Sequence, residues 1–178
     1  MHGIIFSQLR NYAQARLGER GWESLLREAK LPARVYLAFQ SYPDTDAVAL
    51  CGAASRLLGC SIRDVLEDVG EFMVPGLMKI YGAFIQPGWS VLEVIEHAER
   101  IHEKVRRDPH ATPPRLECHR VEPHTVRVVY SSPRKLCGLG IGFVRGLAST
   151  LNQRVEVQER QCVHEGASHC EFIVKRMG

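Results

Sequence analysis

Thr125-Val126-Arg127-Val128-Val129-Tyr130-Ser131-Ser132-Pro133-Arg134 is the stretch on which the fold of this chain turns. Thr125–Tyr130 is rich in β-branched residues and reads as a strand, and Ser and Pro punctuate its end. Side chains two apart in an extended segment share a face, so Tyr130, Ser132 and Arg134 are expected to converge on one anionic group. Arg supplies a planar fork of donors suited to a carboxylate, and the two hydroxyls add short hydrogen bonds.

Working outward, Leu116–Val121 pairs antiparallel with Thr125–Tyr130 around a turn at Glu122-Pro123-His124. Arg154–Gln161 and Cys170–Lys175 alternate apolar and polar residues, with Val155, Val157, Phe172 and Val174 inward and a turn near Gly166. Residues 134–150 read as a Gly-rich helix between the two pairs. The expected architecture is α+β: a lobe with a four-stranded antiparallel sheet and a long helix, joined to an N-terminal helical lobe. Residues 7–18 and 22–30 read as short amphipathic helices. Asp44 or Asp46 can cap a helix through Ala47–Leu58 that Gly59 ends. Ser61 with Asp64 approximates a capping box for a helix to about Val69, and a further helix covers 71–83, strained by Pro75-Gly76.

Ser90 with Glu93 forms a second capping box and opens a helix over 91–107. On its wheel Val91, Val94, Ile95, Ala98, Ile101 and Val105 gather on one side with His102 among them. The charged residues take the opposite side, and His97 sits at the edge of the apolar arc. His102 is therefore the histidine that needs a buried partner, and an apolar surround keeps an imidazole neutral and fit for a metal.

The chain has 178 residues, 45% of them hydrophobic, and a net charge of +3 with both signs interleaved. One domain, residues 1–178, is expected, with a helical lobe over 1–60 and the His102 helix and α/β lobe over 61–178. Dispersed charge gives no support for nucleic acid as a partner. There is no 18-residue apolar run and no charged-then-apolar leader, so no membrane span is expected and the location reads as cytoplasmic. Six cysteines without a leader argue for thiols or metal ligands rather than disulfides. Cys162 and Cys170 bracket a strand–turn–strand, and Cys137 starts the adjacent helix. With one of Glu159, His164 or His169 they would make a tetrahedral structural zinc site; otherwise they are buried thiols or a redox pair. Cys51, Cys60 and Cys118 read as small core residues. Gly138-Leu139-Gly140-Ile141-Gly142 lacks the spacing of a dinucleotide loop, and its glycines fit a helix that approaches the sheet or a ligand closely.

These residues together resemble the H-NOX family of haem sensors of nitric oxide. The resemblance rests on the Tyr-x-Ser-x-Arg triplet, on Ile101-His102-Glu103-Lys104-Val105, on Ala111-Thr112-Pro113-Pro114-Arg115-Leu116, and on Met1-His2-Gly3-Ile4-Ile5 followed by Leu9. It implies haem b between the two lobes, His102 as axial ligand, and Tyr130, Ser132 and Arg134 on the propionates. Ile5, Met73, Leu77, Pro114 and Leu139 would line the haem pocket, with Ile5 and Pro114 shaping the macrocycle. The position of the Tyr that supports O₂ in some members is Leu139, and that of its polar partner is Met73, which implies NO and CO as ligands; His2 is the one terminal residue near enough to enter. Some members resemble this chain in carrying zinc beside a His where Glu159 stands here. The resemblance implies a sensor without a catalytic step, signalling to a separate histidine kinase or cyclic-di-GMP enzyme. The rival readings are a haem-free module for a hydrophobic small molecule with the zinc as its only metal, and, last, a small enzyme.

Overall fold

The computed structural model describes residues 1–107 and 112–178. Ala111, part of the loop motif above, therefore lies outside the described residues. Helices α1 (Gly3–Leu17), α2 (Gly21–Glu28), α3 (Asp44–Leu58) and α4 (Ile62–Tyr81) are followed by α5 (Val91–Glu96) and α6 (Ala98–Val105). Strands β1 (Arg115–Glu122) and β2 (Thr125–Ser131), helix α7 (Cys137–Thr150), and strands β3 (Arg154–Gln161) and β4 (Cys170–Met177) complete the chain. The sheet is antiparallel in the order β1-β2-β4-β3, so two hairpins meet along β2 and β4. The architecture is α+β, as expected. Among the described residues no helix is long and apolar enough to cross a membrane.

Both capping boxes form, Ser61 with Asp64 and Ser90 with Glu93, and Gly59 ends α3 at φ 67°. Neither Asp44 nor Asp46 is a cap: Pro43 holds that position and both carboxylates lie in the first turn. Two expected helices, to Val69 and over 71–83, are one helix, because Val65, Leu66, Val69, Gly70, Met73 and Val74 form a single buried face that runs up to Pro75. Tertiary packing offsets the roughly 3 kcal/mol that an internal Pro costs. The helix expected over 91–107 is instead broken at His97 (φ −97°, ψ 2°). The His97 ring turns back on the preceding helix, Nδ1 lying 2.9 Å from the Glu93 carbonyl oxygen and the ring centroid 4.3 Å from that of Trp89. The Gly-rich helix begins at Cys137 rather than 134, because Pro133-Arg134 is a turn closed by Lys135 N–H on the Ser132 carbonyl at 3.1 Å.

Two cores result. One joins α1–α4, from Phe6 to Met73; the other joins α5, α7 and the sheet, with Val126, Cys170 and Val174 at 0% exposure. By packing, α4 belongs with the N-terminal core although it follows residue 60. The seam between the cores is α4 against α7, and it depends on glycine. A Cβ on Gly142 would overlap the Glu67 carbonyl oxygen, and one on Gly70 would overlap that of Leu139. Gly138, Gly142 and Gly146 thus bring α7 close to α4, while Gly140 faces Tyr130 and Phe172 of the sheet at a cavity between the cores. Cys60 is exposed rather than a core residue.

Candidate functional site

An apolar cavity of about 350 Å³ lies between the cores, within the size range of small-molecule sites. Its walls come from the start of α1 (His2, Ile4, Ile5), the end of α4 (Val74, Leu77, Met78, Tyr81), and α5–α6 (Val94, Ile95, Ala98, Ile101, His102, Val105). Thr112–Pro114, β1–β2 and α7, including Leu139 and Phe143, close it. The apolar arc read from the His102 helix faces this space despite the break at His97, because α5 carries its first half and α6 its second. His97 does not line it.

His102 Nδ1 lies 3.2 Å from the Pro114 carbonyl oxygen. A carbonyl only accepts, so Nδ1 carries the proton and Nε2 keeps its lone pair. Burial lowers the imidazole pKa below its usual value, with Glu99 opposing the shift, and the ring stays neutral and able to bind a metal. The Pro114 carbonyl also accepts from Arg106 Nη2 at 3.1 Å. Arg106 Nη2 reaches Glu99 Oε1 at 2.7 Å, and Glu99 Oε2 accepts from Leu116 N–H at 2.9 Å. Neither Glu99 nor Arg106 stood out in the sequence, where both fall on the charged side of the wheel.

The structure brings the triplet together differently from what a continuous strand would give. β2 ends at Ser131, so Tyr130, Ser132 and Arg134 do not alternate along one strand; the turn at Pro133-Arg134 sets their positions. Tyr130 and Arg134 line the cavity, whereas Ser132 lines only a neighbouring cleft, which Arg134 also reaches. Arg134 donates to Thr112 through both terminal nitrogens, to the carbonyl oxygen at 2.5 Å and to the hydroxyl. Its Nε lies 2.8 Å from Asp44 Oδ2 but lacks hydrogen-bond alignment, which leaves a buried donor without an acceptor. Asp44 in turn accepts from the Met1 ammonium at 2.6 Å. Burial pushes the Asp44 carboxyl up, but the hydrogen bond from the ammonium and the charge of the adjacent Arg134 outweigh it and hold the group below its usual range. A guanidinium at the cavity edge offers charged donors to an incoming carboxylate, which would compete with Asp44 and Thr112 for them.

Of the expected pocket residues, Ile5, Leu77, Pro114 and Leu139 line the cavity. Met73 does not: it is fully buried in the N-terminal core, because it lies on the face of α4 that packs there. Two further side chains able to donate stand on the cavity wall: His2, whose entry the sequence left open, and Tyr81, which it did not single out. His2 Nδ1 accepts from Ile4 N–H at 3.5 Å, which places its proton on Nε2. Tyr81 follows Leu77 by one helical turn on the stripe Val74, Leu77, Met78, Tyr81, and that spacing could have found it.

A second cluster lies in the sheet lobe. Ligand atoms of Cys137, Glu159, Cys162 and Cys170 all fall within 4.8 Å of one another, the only such group among the described residues. Sγ of Cys162 is 3.6 Å from that of Cys137 and 3.8 Å from that of Cys170. Burial pushes the Cys137 and Cys170 thiols up. Glu159 Oε2 accepts from Arg63 of α4 at 2.7 Å, and Oε1 is buried without a partner. His164 and His169 are engaged elsewhere, at 2.8 Å from the Lys135 carbonyl oxygen and 2.6 Å from the Gln161 amide nitrogen. Of the alternatives for a fourth position, the geometry gathers Glu159. Three thiols and an orphan carboxylate oxygen fit tetrahedral zinc.

The Haem-NO-binding family matches residues 2–159. Among solved structures, the H-NOX protein from S. oneidensis in the Fe(II)NO ligation state superposes with a TM-score of 0.93 at 25% identity, over 100% of both chains. The NMR structure of the H-NOX domain from Shewanella oneidensis in the Fe(II)CO ligation state gives 0.88 at 26% identity, over 100% of this chain and 99% of that one. The Fe(II) unliganded H-NOX protein from K. algicida gives 0.86 at 20% identity, over 100% and 97%, and speaks for the fold alone. No curated protein matches the chain. With the fold, the cavity and the matched span in agreement, this chain belongs to the Haem-NO-binding (H-NOX) family, a family of sensor domains rather than enzymes.

Proposed function

We propose that the chain senses nitric oxide and carbon monoxide through haem b held in the cavity, with His102 as its axial ligand and no catalytic step. One observation carries this reading: a neutral imidazole, its Nδ1 proton tied to the Pro114 carbonyl oxygen, faces an apolar cavity with Nε2 available. Tyr130 and Arg134 take the propionates from the cavity side and Ser132 from the neighbouring cleft. Ile5 and Pro114 bear on the macrocycle, and Leu77 and Leu139 form the apolar wall. Bound haem would supply a ferrous centre for diatomic gases, held to the chain through His102.

Release of His102 acts on α6. That helix has no fully buried residue, whereas α5 buries Val91, Leu92, Val94 and Ile95. Motion therefore concentrates beyond the break at His97. The output passes to a separate protein in the cytoplasm, a histidine kinase or a cyclic-di-GMP enzyme. Zinc held by Cys137, Cys162, Cys170 and Glu159 serves as a structural clamp.

The absorption spectrum of the purified protein is the test. A Soret band, with the ferrous form binding NO and CO, supports the sensor. Its absence after reconstitution with haemin would transfer the cavity to a haem-free hydrophobic small molecule.

A further inference from the structure

The Pro114 carbonyl serves two donors, His102 Nδ1 at 3.2 Å and Arg106 Nη2 at 3.1 Å. The same guanidinium nitrogen holds Glu99 Oε1 at 2.7 Å. The other carboxylate oxygen, Oε2, is taken by Leu116 N–H and stands 3.9 Å from His102 Nδ1, beyond hydrogen-bond reach. A carboxylate that accepted the Nδ1 proton would raise the basicity of a metal-bound imidazole more than a carbonyl does. A carbonyl already drained by a cation accepts less strongly still. Glu99 and Arg106 thus bear on one proton with opposite sign, from positions three before and four after His102 on the helical segment that carries it.

We propose that Arg106 is a positioning residue for the axial ligand: by sharing the Pro114 carbonyl and occupying Glu99, it holds down the donor strength of His102. The bond from His102 to iron is thereby kept weak enough to break when NO binds opposite it. This rests on His102 being the axial ligand. Arg106 itself touches neither iron nor gas.

The test uses the whole ferrous, gas-free haem protein and the iron–histidine stretching band in its resonance Raman spectrum. Arg106→Gln frees Glu99 and removes the cation from the carbonyl, so the band should shift to higher frequency, and a larger fraction of the NO complex should stay six-coordinate. Glu99→Gln leaves the cation unopposed and should shift the band to lower frequency. The double variant should return towards the parent, and Arg106→Lys should stay close to it. A purely structural role would change haem retention or melting temperature without these opposed shifts. If the parent shows no iron–histidine band, the haem assignment falls and this proposal with it. A band that is present in the parent but unmoved in both single variants leaves the haem assignment standing and overturns the role given to Arg106. Should Arg106→Gln fail to fold, the direction of the Glu99→Gln shift decides: a downward shift supports the role and an unmoved band overturns it.

Discussion

A histidine becomes a metal ligand through what its second nitrogen does, and His102 and His97 make the contrast within one helical stretch. Both Nδ1 atoms lie near a main-chain carbonyl oxygen, at 3.2 Å and 2.9 Å. Nε2 of His102 is left to a cavity, whereas the His97 ring is stacked at 4.3 Å on Trp89. His102→Gly should lose haem unless imidazole is added, while His97→Ala should leave the absorption spectrum unchanged; reversed outcomes would sink the assignment. Arg134→Ala should weaken haem retention more than Ser132→Ala does. Hydrogen bonds to a charged group contribute about 1.5–3 kcal/mol against about 0.5–1.5 for neutral ones, and Ser132 faces only the neighbouring cleft. Haem loss to apomyoglobin measures the difference, and equal rates would remove Arg134 from the clamp. At this scale the sequence was legible where one side chain had to satisfy a local period. His102 was recognisable because it falls on an apolar arc. Met73 was assigned to the pocket by the resemblance, whereas in this chain it lies on the face of α4 that packs into the N-terminal core.

Elements were legible at their ends more than in their middles. The Ser61 and Ser90 boxes formed where the spacing put them, but the fusion through Pro75 depends on packing against elements far along the chain, and the break at His97 on a ring that turns back onto Glu93 and Trp89. Asp68 on α4 shows such a contact. It accepts from Tyr12 Oη and Arg16 Nε of α1, each at 2.8 Å. The Arg16 hydrogen bonds hold its pKa below the ordinary carboxylate value, against the effect of burial. A lowered folded pKa gives stability that is present above the unfolded value, about 3.9, and is lost as pH falls through the folded one. Asp68→Asn should therefore lower the melting temperature at neutral pH, with the deficit shrinking as pH drops below about 4. A deficit independent of pH would mean that packing, not charge, joins α1 to α4. Around the β3–β4 hairpin the sequence singled out Cys162 and Cys170, with Cys137 at the start of α7, but left the fourth candidate open, because loop histidines and a strand glutamate are equally near along the chain. Elemental analysis should find about one zinc per chain. Glu159→Ala should lower that occupancy and destabilise the sheet lobe; full occupancy in the variant would leave only the thiols as ligands.

Across the whole molecule, two cores meet at a glycine seam and share one cavity, and the polar links between them are long in sequence. Asp44 with Arg134, and Arg63 with Glu159, pair residues some ninety positions apart; Arg134, Glu159 and Asp44 stood out for other roles, and no period or motif announces the pairings. Gas selectivity is likewise a property of the assembled cavity rather than of any one element. Bound O₂ carries partial negative charge and is stabilised by a hydrogen-bond donor, whereas NO and CO need none. Leu139 provides no donor where α7 faces the cavity, while Tyr81 and His2 stand on its wall from α4 and the N-terminus. Because Leu139 stands where the resemblance places the Tyr that supports O₂, the expected outcome is a ferrous protein that binds NO and CO but forms no lasting oxy complex in air, with Tyr81 and His2 too far from the gas to donate. Leu139→Tyr should move it towards O₂ binding, provided that the new hydroxyl comes within roughly 2.5–3.0 Å of the ligand. Stopped-flow and equilibrium spectra in air read both. A durable oxy spectrum from the unaltered protein would refute the apolar character given to this wall. Tyr81→Phe and His2→Ala would then show which side chain supplies the donor, since only the variant that removes it would lose the oxy form.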